Sequence, residues 1–375
     1  MKYLNRLKHN TELYIGYPPA TDFKLSQYAE LLDYSMNSLG NPYDLNNPFS
    51  SHAHEKSVID FFINLYKLDH KNFWGYVANC SSESIMYCLW RAKKHLQMTN
   101  NKKIKIICNE FSHYAIDKTA DILDLELIKI QSNEYGEIDY NALKSNIKSE
   151  YNYIFFATIG STMTSSIDDI NIVKNILKES KTSFYIHADA AFDGAFIPFT
   201  DDFHKCQNFD SINISGHKFI GLPMPCGITI INKEYISGRY IEYTSNNDVT
   251  IGGSRNGLTP YLLYKRIKEL NGANGLKNRF NECLKLAKNY QKILEENNIH
   301  VFRNRNSLTL ALTDIPKEIM KKWHAPTRKR LTTITALPKL TEEKLRLFIA
   351  DIKNYNENYF VTDTITIMPS DVAAL

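Results

Sequence analysis

Ser215-Gly216-His217-Lys218-Phe219-Ile220-Gly221 closes an apolar β-rich run, Ser211–Ser215, and the reading of the fold turns on this stretch. A lysine just past a strand end, in a segment bounded by two glycines, sits where the C-terminal edge of an open α/β sheet parts into a crevice. Ligands of such sheets bind in that crevice. Burial there lowers the pKa of a lysine and makes it a nucleophile toward an aldehyde. Spacing alone favours a plainer alternative, a surface lysine in a turn, so the neighbouring segments have to decide.

Working outward, the β-rich runs Lys105–Cys108, Leu125–Ile130, Tyr153–Ile159 and Phe184–Ala188 precede this stretch, and Ile228–Ile231 follows it. Between them, Glu83–Leu96 carries apolar residues at helical spacing behind the cap pair Ser81 and Ser82. Asp168–Leu177 opens on two acids that suit a helix N-terminus. Apolar strands separated by helices imply βαβ units, hence an α/β fold with a large, mostly parallel sheet covered on both faces. Past Pro260 the texture changes to a long helical pattern through Leu276, Phe280, Leu284, Ala287 and Ile293, stopped at Asn297-Asn298. A strand at Ser307–Thr313, a short helix at Pro316–Trp323, a strand at Leu331–Leu337 and a helix from Thr341 follow. The expected organisation is an irregular arm over 1–50, a large domain over 51–260, and a connecting helix with a small α+β domain over 261–375. No internal repeat or low-complexity tract interrupts it.

With 375 residues, 43% hydrophobic and 23% charged, the chain reads as an ordinary soluble protein large enough for this plan. The net charge of +4 is spread along the chain, without the basic stripe of a nucleic-acid binder. Its densest basic run, Lys321–Arg330, reads as a solvated helix end or loop. The six cysteines, at 80, 88, 108, 206, 226 and 283, form no C-x-x-C pair, which argues against a zinc or other metal site and suits a reducing cytoplasm. Neither an apolar leader nor a run of about 18 apolar residues is evident, so a location away from membranes is expected.

Three further segments bear on the chemistry. Tyr185-Ile186-His187-Ala188-Asp189-Ala190-Ala191 is an apolar strand ending in an acid, 29 residues before Lys218. Facing a pyridine nitrogen, Asp189 would keep a ring protonated, the electron sink that pyridoxal 5′-phosphate (PLP) chemistry needs, and the small Ala191 would let the ring lie close to the backbone. Standing alone, Asp189 fits a turn-capping acid equally well. Val77–Glu83 leads into a helix whose N–H groups, with the Ser81 and Ser82 hydroxyls, would suit a phosphate; any capped helix looks similar. His113, after the run Lys105–Cys108, could stack on a ring or be an ordinary rim histidine.

The Ser-x-His-Lys signature at 215–218 with Asp-x-Ala at 189–191 resembles the group II PLP-dependent amino-acid decarboxylases of the aspartate-aminotransferase fold (fold type I). The pattern leans toward bacterial PLP-type histidine decarboxylases and plant serine decarboxylases. The similarity runs in order from Ile15-Gly16-Tyr17-Pro18 through Trp74-Gly75-Tyr76, His113-Tyr114, Asp168-Asp169-Ile170 and Pro223–Gly227 to Gly253–Gly257, and resumes at Arg303–Asn306. It implies that Lys218 binds the cofactor covalently, Asp189 pairs with the pyridine nitrogen, and Ala191 and His113 face the two sides of the ring. It further implies that Ser81, Ser82, Ser215 and His217 hold the phosphate and that Thr162 hydrogen-bonds the phenolic oxygen. Tyr17 and Arg255 lie on the substrate side, and Tyr243, on a loop, or His217 returns a proton after CO₂ leaves. A homodimer with active sites at its interface is also implied.

The chain departs from that family at Ser84 and Ile85, where relatives carry glycine and asparagine, at Leu222, usually a small residue, and at Leu258, usually histidine. Histidine leads serine as the expected substrate, with another amino acid as a further alternative. An oxidative deaminase or aldolase sharing the cofactor residues, and a non-catalytic relative, stand as rival outcomes.

Overall fold

The alternation of apolar strands and amphipathic helices builds a central layer. In the computed structural model, which describes residues 2–16, 22–45 and 47–359, seven strands form one sheet: β1 (Phe73–Ala78), β2 (Ile104–Asn109), β3 (Glu126–Ile130), β4 (Asn152–Thr158), β5 (Phe184–Asp189), β6 (Ser211–Ser215) and β7 (Gly227–Asn232). Their order is β1-β7-β6-β5-β4-β2-β3. Only β7 runs against the others, pairing antiparallel with β1 and β6. Strand β1 was not anticipated as a strand; its six residues are apolar almost throughout and show no alternation.

The period-2 geometry of β4 feeds two cores. Tyr153, Phe155 and Ala157 point into one, while Ile154 and Phe156 point into the other. Each fully buried side chain of this size contributes roughly 1.5–3 kcal/mol relative to exposure. Helix Ser81–Thr99 covers one face through Ile85, Cys88, Leu89, Ala92 and Leu96. Val58, Ile59, Phe62 and Ile63 of helix His52–Leu65 help cover the other.

A second, antiparallel sheet comprises β8 (Val301–Phe302), β9 (Thr309–Thr313), β10 (Thr327–Arg328) and β11 (Leu331–Thr335), ordered β8-β9-β11-β10. Leu310, Leu312 and Ile334 pack against helices Gly272–Glu296 and Glu342–Tyr359. Alternation turns Thr309, Thr333 and Thr335 to the opposite face, toward the C-terminal edge of the central sheet.

The described part of residues 1–50 is more regular than expected. Lys2–Glu12 is helical, Leu25–Asp33 forms 3₁₀ turns, and Asn37–Leu39 pairs antiparallel with Ser254–Asn256. Tyr3, Leu4 and Leu7 lie on one stripe of the first helix, yet the helix buries no residue. A second correction concerns Ser81 and Ser82. They are the first helical residues rather than caps; Cys80 occupies the N-cap position and supplies no side-chain hydrogen bond.

Candidate active site

Parallel strands deliver their last residues to one edge. Thr158 ends β4, Asp189 ends β5, Ser215 ends β6, and β1 ends at Ala78 just before the helix that opens at Ser81. A cavity of ≈ 230 Å³ lies along that edge, and nine of the expected residues line it: Ser81, Ser82, His113, Thr162, Asp189, Ala191, Ser215, His217 and Lys218. Gly16, Thr309, Pro326, Thr333 and Thr335 close it from the side of the second sheet.

Lys218 touches the open space of the cavity while protein closes around it. Burial pushes its pKa down, against the opposing pull of Asp189 and Asp193. That favours the neutral, nucleophilic amine. Asp189 is 6% exposed; its Oδ1 accepts from Asn213 Nδ2 at 2.9 Å and from the Ala191 N–H at 3.3 Å. His113 has its pKa lowered, chiefly by burial, and accepts the Ala115 N–H at Nδ1 (3.2 Å). His217 falls to about 4 through burial and the neighbouring Lys218, and its Nδ1 accepts the Cys226 N–H at 3.2 Å.

At the other end of the cavity the Ser81 and Ser215 hydroxyls lie 2.6 Å apart. Because no side chain caps this helix, its first N–H groups face the cavity corner with two serine hydroxyls beside them, an arrangement suited to an anion. A recessed amine, a buried carboxylate and an uncapped helix start are the three anchors that PLP requires, for its aldehyde, ring nitrogen and phosphate. The residues present fit that cofactor.

Two expected residues stand apart from the cavity. Arg255 is buried and its Nη1 lies 2.5 Å from Glu55 Oε1, an oxygen that also accepts the Val77 N–H at 2.7 Å. Its Nη2 donates to the Gly40 carbonyl oxygen at 3.3 Å, and Arg255 does not line the cavity. Tyr243 is 92% exposed, in a short turn between the paired strands Arg239–Ile241 and Asn246–Asp248. Tyr17 lies outside the described residues.

Sequence reasoning missed the threonine wall, which comes from a segment with no local signal for it. It also missed Thr158, whose hydroxyl lies 2.8 Å from that of Ser112, and Asp193. The Asp193 carboxyl is buried against Gly160, where an added Cβ would come within 2.2 Å of its Cγ, and burial pushes its pKa up to about 8. Gly160 also has φ +87, so both space and backbone conformation call for glycine there.

The departures have concrete places. Ser84 accepts the Thr229 hydroxyl at 2.8 Å, and Ile85 lines the cavity. Leu222 is core, and Leu258 starts a helix with its N–H donated to Asn256 Oδ1 at 2.9 Å.

Residues 8–310 match the family model described as the pyridoxal-dependent decarboxylase conserved domain. The histidine decarboxylase of Mesorhizobium japonicum is 32% identical over 352 residues, covering 92% of this chain and 94% of that protein. Serine decarboxylase 2 of Oryza sativa subsp. japonica is 30% identical over 370 residues, 96% of this chain and 78% of that protein. Among solved structures, L-methionine decarboxylase from Streptomyces sp. 590 superposes with a TM-score of 0.81 at 19% identity over 94% of both chains. Glutamate decarboxylase of Lactobacillus brevis superposes at 0.78 with 16% identity, over 95% of this chain and 90% of that one. Both share the fold-type-I architecture. With a recessed lysine, a strand-end aspartate and a family match spanning most of its length, the chain belongs to the pyridoxal-dependent decarboxylase family and is a PLP-dependent amino-acid carboxy-lyase.

Proposed function

We propose that this carboxy-lyase acts on a small polar L-amino acid, with histidine, giving histamine, as the first candidate. The observation that carries the reading is the similarity to a histidine decarboxylase across more than nine-tenths of both chains. The hydroxyl-lined wall of Thr309, Thr333 and Thr335 supports an uncharged polar side chain over an acidic one. Serine is the second reading, favoured by the likeness to the rice serine decarboxylase.

When bound, PLP supplies an aldehyde that joins covalently to an amine and a ring that accepts the electron pair left by departing CO₂. Lys218 would anchor the cofactor through its amine and be the residue whose place the substrate amine takes. Asp189 would keep the ring nitrogen protonated, and His113 and Ala191 would cover the two ring faces against water. Thr162 would donate to the phenolic oxygen, while Ser81, Ser82, Ser215 and His217 would hold the phosphate. Tyr243, if its hairpin meets a cavity across a dimer, would return a proton to the substrate Cα; His217, the other candidate, is held neutral near pH 7 by burial and suits that acid role less well.

A homodimer is part of the proposal, supported by the uncovered stripe of Tyr3, Leu4 and Leu7. A cytoplasmic location is supported by the six free cysteines. No helix among the described residues is long and apolar enough to cross a membrane.

The test is the violet absorbance of the purified protein with PLP, followed by CO₂ release across a panel of amino acids. The expected result is a band that is absent in Lys218→Ala, with CO₂ from histidine. CO₂ from serine alone transfers the assignment to the second reading. A lysine-dependent band without CO₂ from any amino acid would overturn the substrate assignment and favour oxidative or aldol chemistry.

A further inference from the structure

Strand β6 has an unexpected composition for its position. Ser211, Asn213 and Ser215 alternate with Ile212 and Ile214, and all five residues are buried. Polar side chains inside a sheet cost free energy unless each finds a partner. The parallel register with β5 provides the partners, setting His187 opposite Ser211 and Asp189 opposite Asn213. Ser211 Oγ lies 2.7 Å from His187 Nδ1, His187 Nε2 lies 2.8 Å from Asn213 Oδ1, and Asn213 Nδ2 donates to Asp189 Oδ1 at 2.9 Å.

Chemistry sets the direction of this chain. An ionised carboxylate only accepts, so Asn213 must turn its NH₂ toward Asp189 and its carbonyl oxygen toward His187. His187 then donates through Nε2–H, leaving Nδ1 to accept the Ser211 hydroxyl. Burial pushes the His187 pKa down to about 4, so the imidazole is neutral near pH 7. Among the described residues both hydrogen bonds to the Asp189 carboxylate end on Oδ1, which leaves Oδ2 for the cavity that Asp189 lines.

We infer that Ser211, His187 and Asn213 are positioning residues, an uncharged relay that orients the Asp189 carboxylate so that Oδ2 meets the ring nitrogen of the bound cofactor. The inference rests on the reading that Asp189 faces that nitrogen. Neutrality is the functional point. A cation in the place of Asn213 would compete with the pyridinium for the charge of Asp189, whereas an amide N–H fixes its orientation and leaves the charge available. A merely structural network would also satisfy these buried groups, but its loss would not depend on which atom occupies the ring position.

The experiment compares the binding of PLP and of 1-deaza-PLP, in which a C–H replaces the ring nitrogen, to apoenzyme followed by absorbance. The proteins are wild type, Asn213→Ala, His187→Phe, His187→Gln and Asp189→Asn. Asn213→Ala and His187→Phe should weaken PLP binding by about 10- to 100-fold, the usual range when an outer partner of a site ligand is removed. His187→Gln keeps an N–H donor and should bind PLP within about 3-fold of wild type. For 1-deaza-PLP, Asn213→Ala and both His187 variants should bind within about 3-fold of wild type, because the relay then has no nitrogen to act on.

Equal weakening toward both cofactors, or no weakening toward PLP, overturns the relay. Should Asn213→Ala fail to fold, the His187 pair carries the same comparison. Asp189→Asn separates the two readings. If it leaves the preference for PLP over 1-deaza-PLP intact, the assignment of Asp189 falls and the relay with it. If it abolishes that preference while Asn213→Ala and His187→Phe do not reduce it, the relay alone falls.

Discussion

The floor of the cavity and the hairpin that carries Tyr243 are built on opposite principles. On the floor, Asp189, Ser215 and Lys218 lie at or just past strand ends, and buried hydrogen bonds define the orientation of Asp189. The hairpin Arg239–Asp248 has two three-residue strands, and the Tyr243 ring is 92% exposed. Buried hydrogen bonds hold the floor, whereas no described residue packs over the Tyr243 ring. On the proposed reading, cofactor binding and charge stabilisation would belong to the floor, and the hairpin would act only after substrate arrival.

Changes on the floor should break this contrast most visibly. On the proposed reading, Asp189→Asn removes the charge that would face the ring and is expected to lower kcat by about 10²- to 10³-fold, as losses of transition-state charge stabilisation do. Steady-state decarboxylation at saturating PLP measures it, and a loss below tenfold would place the electron sink elsewhere.

A smaller effect separates charge from packing on the same floor. The folded pKa of His187, about 4, lies below its ordinary value of 6.5, so the unfolded chain takes up a proton first as pH falls. The stability contributed by neutral His187 is present above pH 6.5 and is lost between about 6.5 and 4, by roughly 3 kcal/mol in all. His187→Gln lacks this titration, so urea unfolding of the two proteins between pH 7 and pH 4 should show wild type losing that much relative to the variant. A pH-independent difference would mean that the fold leaves the His187 pKa at its ordinary value, and a wild type that gains relative to the variant as pH falls would mean that His187 is charged in the fold.

The smallest expected effect lies in the hairpin. Tyr243→Phe should leave unfolding stability within about 0.5 kcal/mol and PLP affinity unchanged, with any cost confined to turnover. A shift in PLP affinity would show that the hairpin belongs to the preformed site after all.

Much of the central layer was legible because apolar runs such as Tyr153–Ile159 and Phe184–Ala188 announce themselves. The grouping of Asp189, Ser215 and Lys218 was legible because all three follow from the same rule about strand ends. Strand β1 was less so, since Phe73–Ala78 is buried nearly throughout and carries no alternation. The partner of Arg255 was hidden because Glu55 stands 200 positions away. The threonine wall was hidden for the same reason: it is recognisable only once β9 and β11 are folded back over the central sheet. The relay did leave a mark, in polar residues at alternate positions of a strand too apolar to face water. Reading Ser211, Asn213 and Ser215 beside His187 and Asp189 required the register, which sequence alone does not supply.

The β5–β6 register also acts as a checkpoint in folding. Sliding β6 by one residue would set Ile212 or Ile214 opposite Asp189, because side chains alternate across a strand. Such a chain would keep its apolar content and much of its sheet, yet it would offer the cofactor no oriented carboxylate. PLP stabilises whichever form binds it, so its presence during folding draws molecules toward the one register that assembles the site. If Asp189 faces the cofactor as proposed, PLP would report correct strand alignment before it serves in any reaction.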